Sequence, residues 1–182
     1  MAKPYKSFWV FALAIPFVVV VLDQLTKKWA TQLFGQPFNI CEKNPDIGRA
    51  GYFHDFSPIV DWALTCNKGV SFGMFEADSP LKRWALTAFA FIMVIVILIV
   101  LAKTAEKWTR IGLGFIIGGA IGNAIDRFMH GSVTDFISVG ELLPFFPWVF
   151  NIADSAITVG VMFIALDIFL DWKKERAAKA AE

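Results

Sequence analysis

The chain has 182 residues, 57% of them apolar, with 19 Phe, 7 Trp and a formal net charge of +1. That apolar share exceeds the roughly 45–50% of ordinary soluble domains, so a lipid bilayer is the expected solvent. A nearly neutral chain excludes whole-protein attraction to nucleic acid, and its basic residues are read for topology instead.

A first helix is expected over about 8–30. Lys3 and Lys6 followed by the apolar run from Phe8 to Leu22 resemble a signal peptide, but Asp23-Gln24-Leu25-Thr26-Lys27 offers no small-x-small cleavage site. The segment therefore reads as a retained helix that borrows a turn or two beyond Asp23 to span. A long loop over about 31–83 follows, rich in Gly, Pro, Asn and Asp. Within it, Val60 to Phe75 mixes β-branched and aromatic residues with the turn-forming Asn67-Lys68-Gly69, which predicts a hairpin or small sheet.

The second helix, 84–102, carries Thr87 as its single polar side chain and suits a lipid-facing position. The third, 111–127, contains Gly112, Gly114, Gly118, Gly119 and Gly122, which would let neighbouring backbones approach, so it is expected at the centre. After a loop over 128–147, the fourth helix spans 148–170, with Asn151, Asp154, Ser155 and Thr158 forming one polar stripe. The Ala/Lys/Glu tail from Lys173 is expected to fray. The fold class is an all-α membrane protein: a single four-transmembrane-helix bundle over 1–182, with a small extracytoplasmic β-containing region between helices 1 and 2.

Nine basic residues lie in three short segments: Lys3 and Lys6; Lys103, Lys107 and Arg110; Lys173, Lys174, Arg176 and Lys179. This places both termini in the cytoplasm, with Lys82 and Arg83 counting against it. Trp84 and Trp148 read as interfacial anchors.

An up-down-up-down path brings Asp23, Asp126 and Asp154 to one side of the membrane, the extracytoplasmic side by the charge argument. An Asp in mid-membrane costs about 2.5–3.5 kcal/mol on insertion scales, so such residues face the interior and have a task. One alternative is a structural ion pair, Asp126 with Arg127 or Asp154 with Lys27; another is an ion pathway. Neither His54 nor His130 lies in a membrane segment or beside a GxSxG elbow, which leaves serine chemistry without a base. No HExxH or CxxC occurs and two cysteines cannot make a structural zinc site, so no metal is expected. Two aspartates sharing a site can hold one proton between them, activate water and protonate a leaving amine.

At these residues the sequence resembles the lipoprotein signal peptidase family, also called signal peptidase II. The resemblance rests on Asp23-Gln24-Leu25-Thr26-Lys27, on Asn67-Lys68-Gly69-Val70-Ser71-Phe72, on Gly118 to Arg127, on Val133-Thr134-Asp135-Phe136, and on Phe150-Asn151-Ile152-Ala153-Asp154-Ser155-Ala156-Ile157. It covers roughly residues 8 to 170. It implies an enzyme of the bacterial inner membrane that cleaves before the diacylglyceryl-modified cysteine of a prolipoprotein, with no metal or organic cofactor. Carried over by position, the dyad falls on Asp126 and Asp154, with Asp135 the first replacement. Supporting or substrate-binding positions fall on Asp23, Lys27, Asn67, Gly69, Asn123, Arg127, Asp135, Asn151 and Ala153. Gly69 is read as permitting a turn, and Arg127 as either a partner for an oxygen of the substrate or a structural partner of an acid. The implied partners are prolipoprotein substrates and membrane lipids, and nothing requires more than a monomer.

The segment from Gln36 to Pro58, with Cys41, Glu42, Asp46, Arg49 and His54, is longer and more polar than the resemblance implies, and Val70-Ser71 stands where smaller residues are expected. Cys41 and Cys66 both fall in the loop placed outside the cytoplasm, where disulfides persist, so pairing is expected. Two free thiols remain the alternative, since no spacing rule fixes their geometry.

Overall fold

The computed structural model describes residues 10–44, 47, 53–54, 56–57, 59–69, 80–139 and 148–180. Val70-Ser71-Phe72, the second half of the expected hairpin, Lys3, Lys6, Asp46 and Arg49 lie outside the described residues.

Helix α1, Ile15–Leu33, follows a wider π-helical turn at Val10–Ala14. Pro16 has no N–H for an α-helical ladder, which accounts for the wider turn just ahead of it. The helix closes through Gly35 at φ 65°, with Gly35 N–H donating to Gln32 O at 2.9 Å and Gln36 N–H to Thr31 O at 2.8 Å. This is a glycine-capped end that returns orphan carbonyls to the chain. Asp23 thus lies inside α1, well before its end at Leu33.

A short helix α2, Ile40–Lys43, precedes the three further long helices: α3, Pro80–Lys103, α4, Lys107–His130, and α5, Ile152–Ala180. Among the described residues, three helices are long and apolar enough to cross a membrane: α3 from Arg83, α4 and α5. Helix α1 carries Asp23, Lys27 and Lys28 and falls outside that group. Helix α4 is central, as its glycines predict, packing against α1, α3 and α5. A Cβ on Gly119 would collide with the Ala153 carbonyl of α5, and one on Gly118 would meet Val19 Cβ of α1 at 2.7 Å. Helix α3 touches mainly α4 and leaves Phe89, Ile92, Ile95 and Ile99 exposed, as a lipid-facing helix does.

The sheet is antiparallel throughout, in the order β1 (Phe53–His54), β2 (Asp61–Asn67), β3 (Val133–Ser138), β4 (Val149–Phe150). It differs from the expected hairpin because it joins two loops: β1 and β2 come from the first, β3 and β4 from the second. Gly131, at φ 85°, ends α4 and turns the chain directly into β3. Pairing of Val149 and Phe150 with Ser138 and Ile137 also moves the start of the last helix from 148 to Ile152.

Cys41 and Cys66 form a disulfide, with Cα atoms 5.5 Å apart. Ile40, Cys41, Ile47 and Leu64 pack as a small core around it. Closing such a loop contributes roughly 2–4 kcal/mol.

Candidate active site

Asn151 begins the site, because it caps α5. Its side-chain oxygen accepts the Asp154 N–H at 2.9 Å, and Asp154 Oδ2 accepts the Asn151 N–H at 3.3 Å. This reciprocal box satisfies two orphan donors at the helix start. A third, the Ala153 N–H, donates to Asp23 Oδ1 of α1 at 3.0 Å. Asp154 is therefore held in the first turn with its side chain fixed. Ser155 and Thr158, the rest of the expected stripe, return their hydroxyls to Asn151 O and Asp154 O of their own helix.

The Asn151 amide reaches outward as well, donating to Asp135 Oδ1 at 2.6 Å and to Asn123 Oδ1 at 3.1 Å. Asn123 in turn donates to Asp154 Oδ1 at 2.8 Å. Asp135 projects from β3 and takes a second donor, Asn67 Nδ2 of β2, at 3.0 Å. Asp135 is buried while Asp154 is part-exposed. Burial first, and the charge of Asp154 second, hold the Asp135 carboxyl well above the ordinary carboxylate range; the Asn67 bond acts the other way.

A separate ionic group lies behind these residues. Lys27 Nζ is fully buried, 2.7 Å from Asp23 Oδ2, 3.1 Å from Asp126 Oδ2 and 3.3 Å from Asn123 Oδ1. Of the structural ion pairs weighed as an alternative, neither Asp126 with Arg127 nor Asp154 with Lys27 is the one formed here; Lys27 pairs with Asp23 and Asp126. Asp126 has further donors: Gln24 Nε2 on Oδ1 at 2.9 Å and the Thr134 N–H on Oδ2 at 3.0 Å. Sequence reasoning gave Gln24 and Thr134 no role. Both stand in the quoted motifs, but only the fold brings them to Asp126.

Arg127 donates to Gly69 O at 2.6 Å and to Asn123 O at 3.5 Å, so its guanidinium binds main-chain oxygens. The Gly69 N–H donates to Asn67 Oδ1 at 3.0 Å, which makes the expected turn. All the predicted site residues, Asp23, Lys27, Asn67, Gly69, Asn123, Asp126, Arg127, Asp135, Asn151, Ala153 and Asp154, are joined in this hydrogen-bonded region.

Long apolar helices with a buried acid and amide network at one end define an integral membrane protein of the aspartic-peptidase class. The family model described as "Signal peptidase (SPase) II" matches residues 15–170. The chain is 42% identical over 166 residues to a lipoprotein signal peptidase of Caulobacter vibrioides, covering 91% of this chain and 89% of that protein. It is 38% identical over 180 residues to one of Nitrobacter hamburgensis, covering 97% and 98%. A solved bacterial membrane enzyme superposes with a TM-score of 0.64 at 27% identity, covering 90% of each chain. The chain belongs to the signal peptidase II family.

Proposed function

We propose that this protein is the aspartyl endopeptidase that removes signal peptides from diacylglyceryl-modified bacterial prolipoproteins, cutting immediately before the lipid-modified cysteine. The observation that carries the chemistry is the pair Asp135 and Asp154, tied together by Asn151, with one member buried and the other part-exposed. The sequence assigned Asp126 beside Asp154. The geometry favours Asp135 in that place, because Asp126 is neutralised by Lys27 and both its oxygens are occupied.

In this reading the Asp154 carboxylate takes a proton from water as the water oxygen adds to the scissile carbonyl carbon. Asp135 gives its proton to the carbonyl oxygen. The C–N bond then breaks as the amine leaves with the proton taken by Asp154, and the carbonyl re-forms by returning the other proton to Asp135. Asn123 and Asn151 hold the two carboxyls in register, and Arg127 fixes the Asn67–Gly69 turn above them. The ion-pathway alternative finds no support among the relatives, which are named as peptidases. Purified protein in lipid should convert a diacylglyceryl-modified precursor to the shorter product and leave the unmodified precursor intact. Ion flux from liposomes without cleavage would overturn the assignment.

The placement follows the same reading: four membrane-spanning helices including α1, a single domain working as a monomer in the inner membrane, termini in the cytoplasm, and the site at the extracytoplasmic face. Arg83, which counted against this orientation, caps the end of α4 by donating to Arg127 O at 2.8 Å and Phe128 O at 2.5 Å. Its location is thereby explained without reference to topology. With single added cysteines, Ile59→Cys should react with an impermeant thiol reagent applied from outside and Lys179→Cys should not; the reverse pattern would invert the orientation.

A further inference from the structure

We propose that the Cys41–Cys66 disulfide is a positioning element of the active site. The inference rests on the reading of Asp135 and Asp154 as the catalytic pair.

Cys66 stands in β2 between Thr65, which faces Asp135 across the ladder, and Asn67, whose amide donates to Asp135. Side chains alternate along a strand, so Asn67 and Asp135 occupy the face turned to the pair while Cys66 and its cross-strand partner Thr134 occupy the back. The disulfide lies against that back: Cys41 Sγ is 3.6 Å from Thr134 Oγ1. Thr134 is itself a junction, since its N–H donates to Asp126 Oδ2 and its carbonyl accepts from Asn151 at 3.4 Å.

The brace has its own footing. Cys41 belongs to α2, whose Ile40 packs with Ile47 and Leu64, and the Cys66 N–H donates to Ile47 O at 3.1 Å. The footing is made from the polar segment in which this chain departs from the expected first loop. On the other side of Cys66, β2 ends at Asn67 and the Asn67–Gly69 turn, held by Arg127. The strand residue that orients Asp135 is thus fixed from behind by one covalent bond and from beyond by one guanidinium.

Reduction by a dithiol breaks the S–S bond: two electrons and two protons pass to Cys41 and Cys66, leaving two thiols, and the reductant closes to its own disulfide. Asn67 and Thr134 then lose their common support while the apolar contacts of α2 and the helix bundle remain. Small displacements of a positioned group cost far more in turnover than in binding, so the loss should fall on kcat.

The experiment compares oxidised, dithiothreitol-reduced and reoxidised protein with the Cys41→Ala/Cys66→Ala variant, in lipid, on a diacylglyceryl-modified precursor, well below the unfolding temperature of each. Expected are a fall in kcat of about tenfold or more on reduction with KM changed less than twofold, full recovery on reoxidation, and a variant slow with or without the dithiol. Folding of each form is followed in parallel by circular dichroism. The proposal is overturned if reduced, folded protein keeps kcat within a factor of two. It is also overturned if activity falls only in step with the unfolded fraction, if the double variant is itself inhibited by the dithiol, or if thiol labelling of the unreduced, denatured protein modifies both cysteines. Asp135→Asn run alongside separates the two readings: an active Asp135→Asn protein removes the catalytic pair, whereas an inactive one with a redox-insensitive parent removes only the brace.

Discussion

Asp135→Asn and Asp154→Asn should each lower kcat by roughly a hundred- to ten-thousand-fold, the range of positioned proton transfer, while the protein still folds and inserts. Asparagine keeps the shape and the amide contacts of Asn67, Asn123 and Asn151 but cannot exchange the proton. Asp126→Asn should retain measurable turnover, because Lys27 keeps Asp23 at 2.7 Å as its counter-charge. Catalysis needs the pair to carry one proton, so the rate should fall on the acid side when both carboxyls are protonated and on the alkaline side when the pair loses its last proton. Since burial and the Asp154 charge raise the Asp135 carboxyl, the alkaline limb should lie well above the ordinary carboxylate range. A folded Asp135→Asn protein cleaving at the parent rate, with Asp126→Asn inactive, would return the second catalytic place to Asp126.

Lys27→Met should destabilise the fold by about 3–5 kcal/mol, the cost of breaking a buried ion pair by removing one partner. Lys27 is fully buried and offers its ammonium to Asp23, Asp126 and Asn123, so its loss leaves two buried carboxylates facing one another. Denaturation in mixed micelles measures the effect. Adding Asp23→Asn to the same protein should recover part of it, since the repulsion then disappears. A Lys27→Met protein as stable as the parent would mean that the ion pair does not hold α1 to α4.

The long helices were legible from apolar run length, and the centrality of α4 from glycines that would otherwise place Cβ atoms on Ala153 and Val19. The site's membership was legible from motifs, yet its inner organisation was not. Asp126 and Asp135 are both buried aspartates in quoted motifs, and only the fold shows that Lys27 reaches the first and Asn151 the second. Periodicity placed Asn151 inside a polar helical stripe, whereas it caps the helix, because the two residues before it are drawn into a strand. The small sheet was expected from Val60 to Phe75, but its pairing between two loops was not: the partner of β2 lies beyond two helices, and strand patterns say nothing about distant pairing.

The pairing of β2 with β3 also imposes an order on biosynthesis. Contacts between segments so far apart form late, after the intervening chain is in place. The carboxylate of β3 takes its amide from Asn151, the residue that also caps α5. A nascent chain halted before α5 therefore lacks Asp154 and its tie through Asn151 to Asp135, so the pair stays unassembled until that helix has been made.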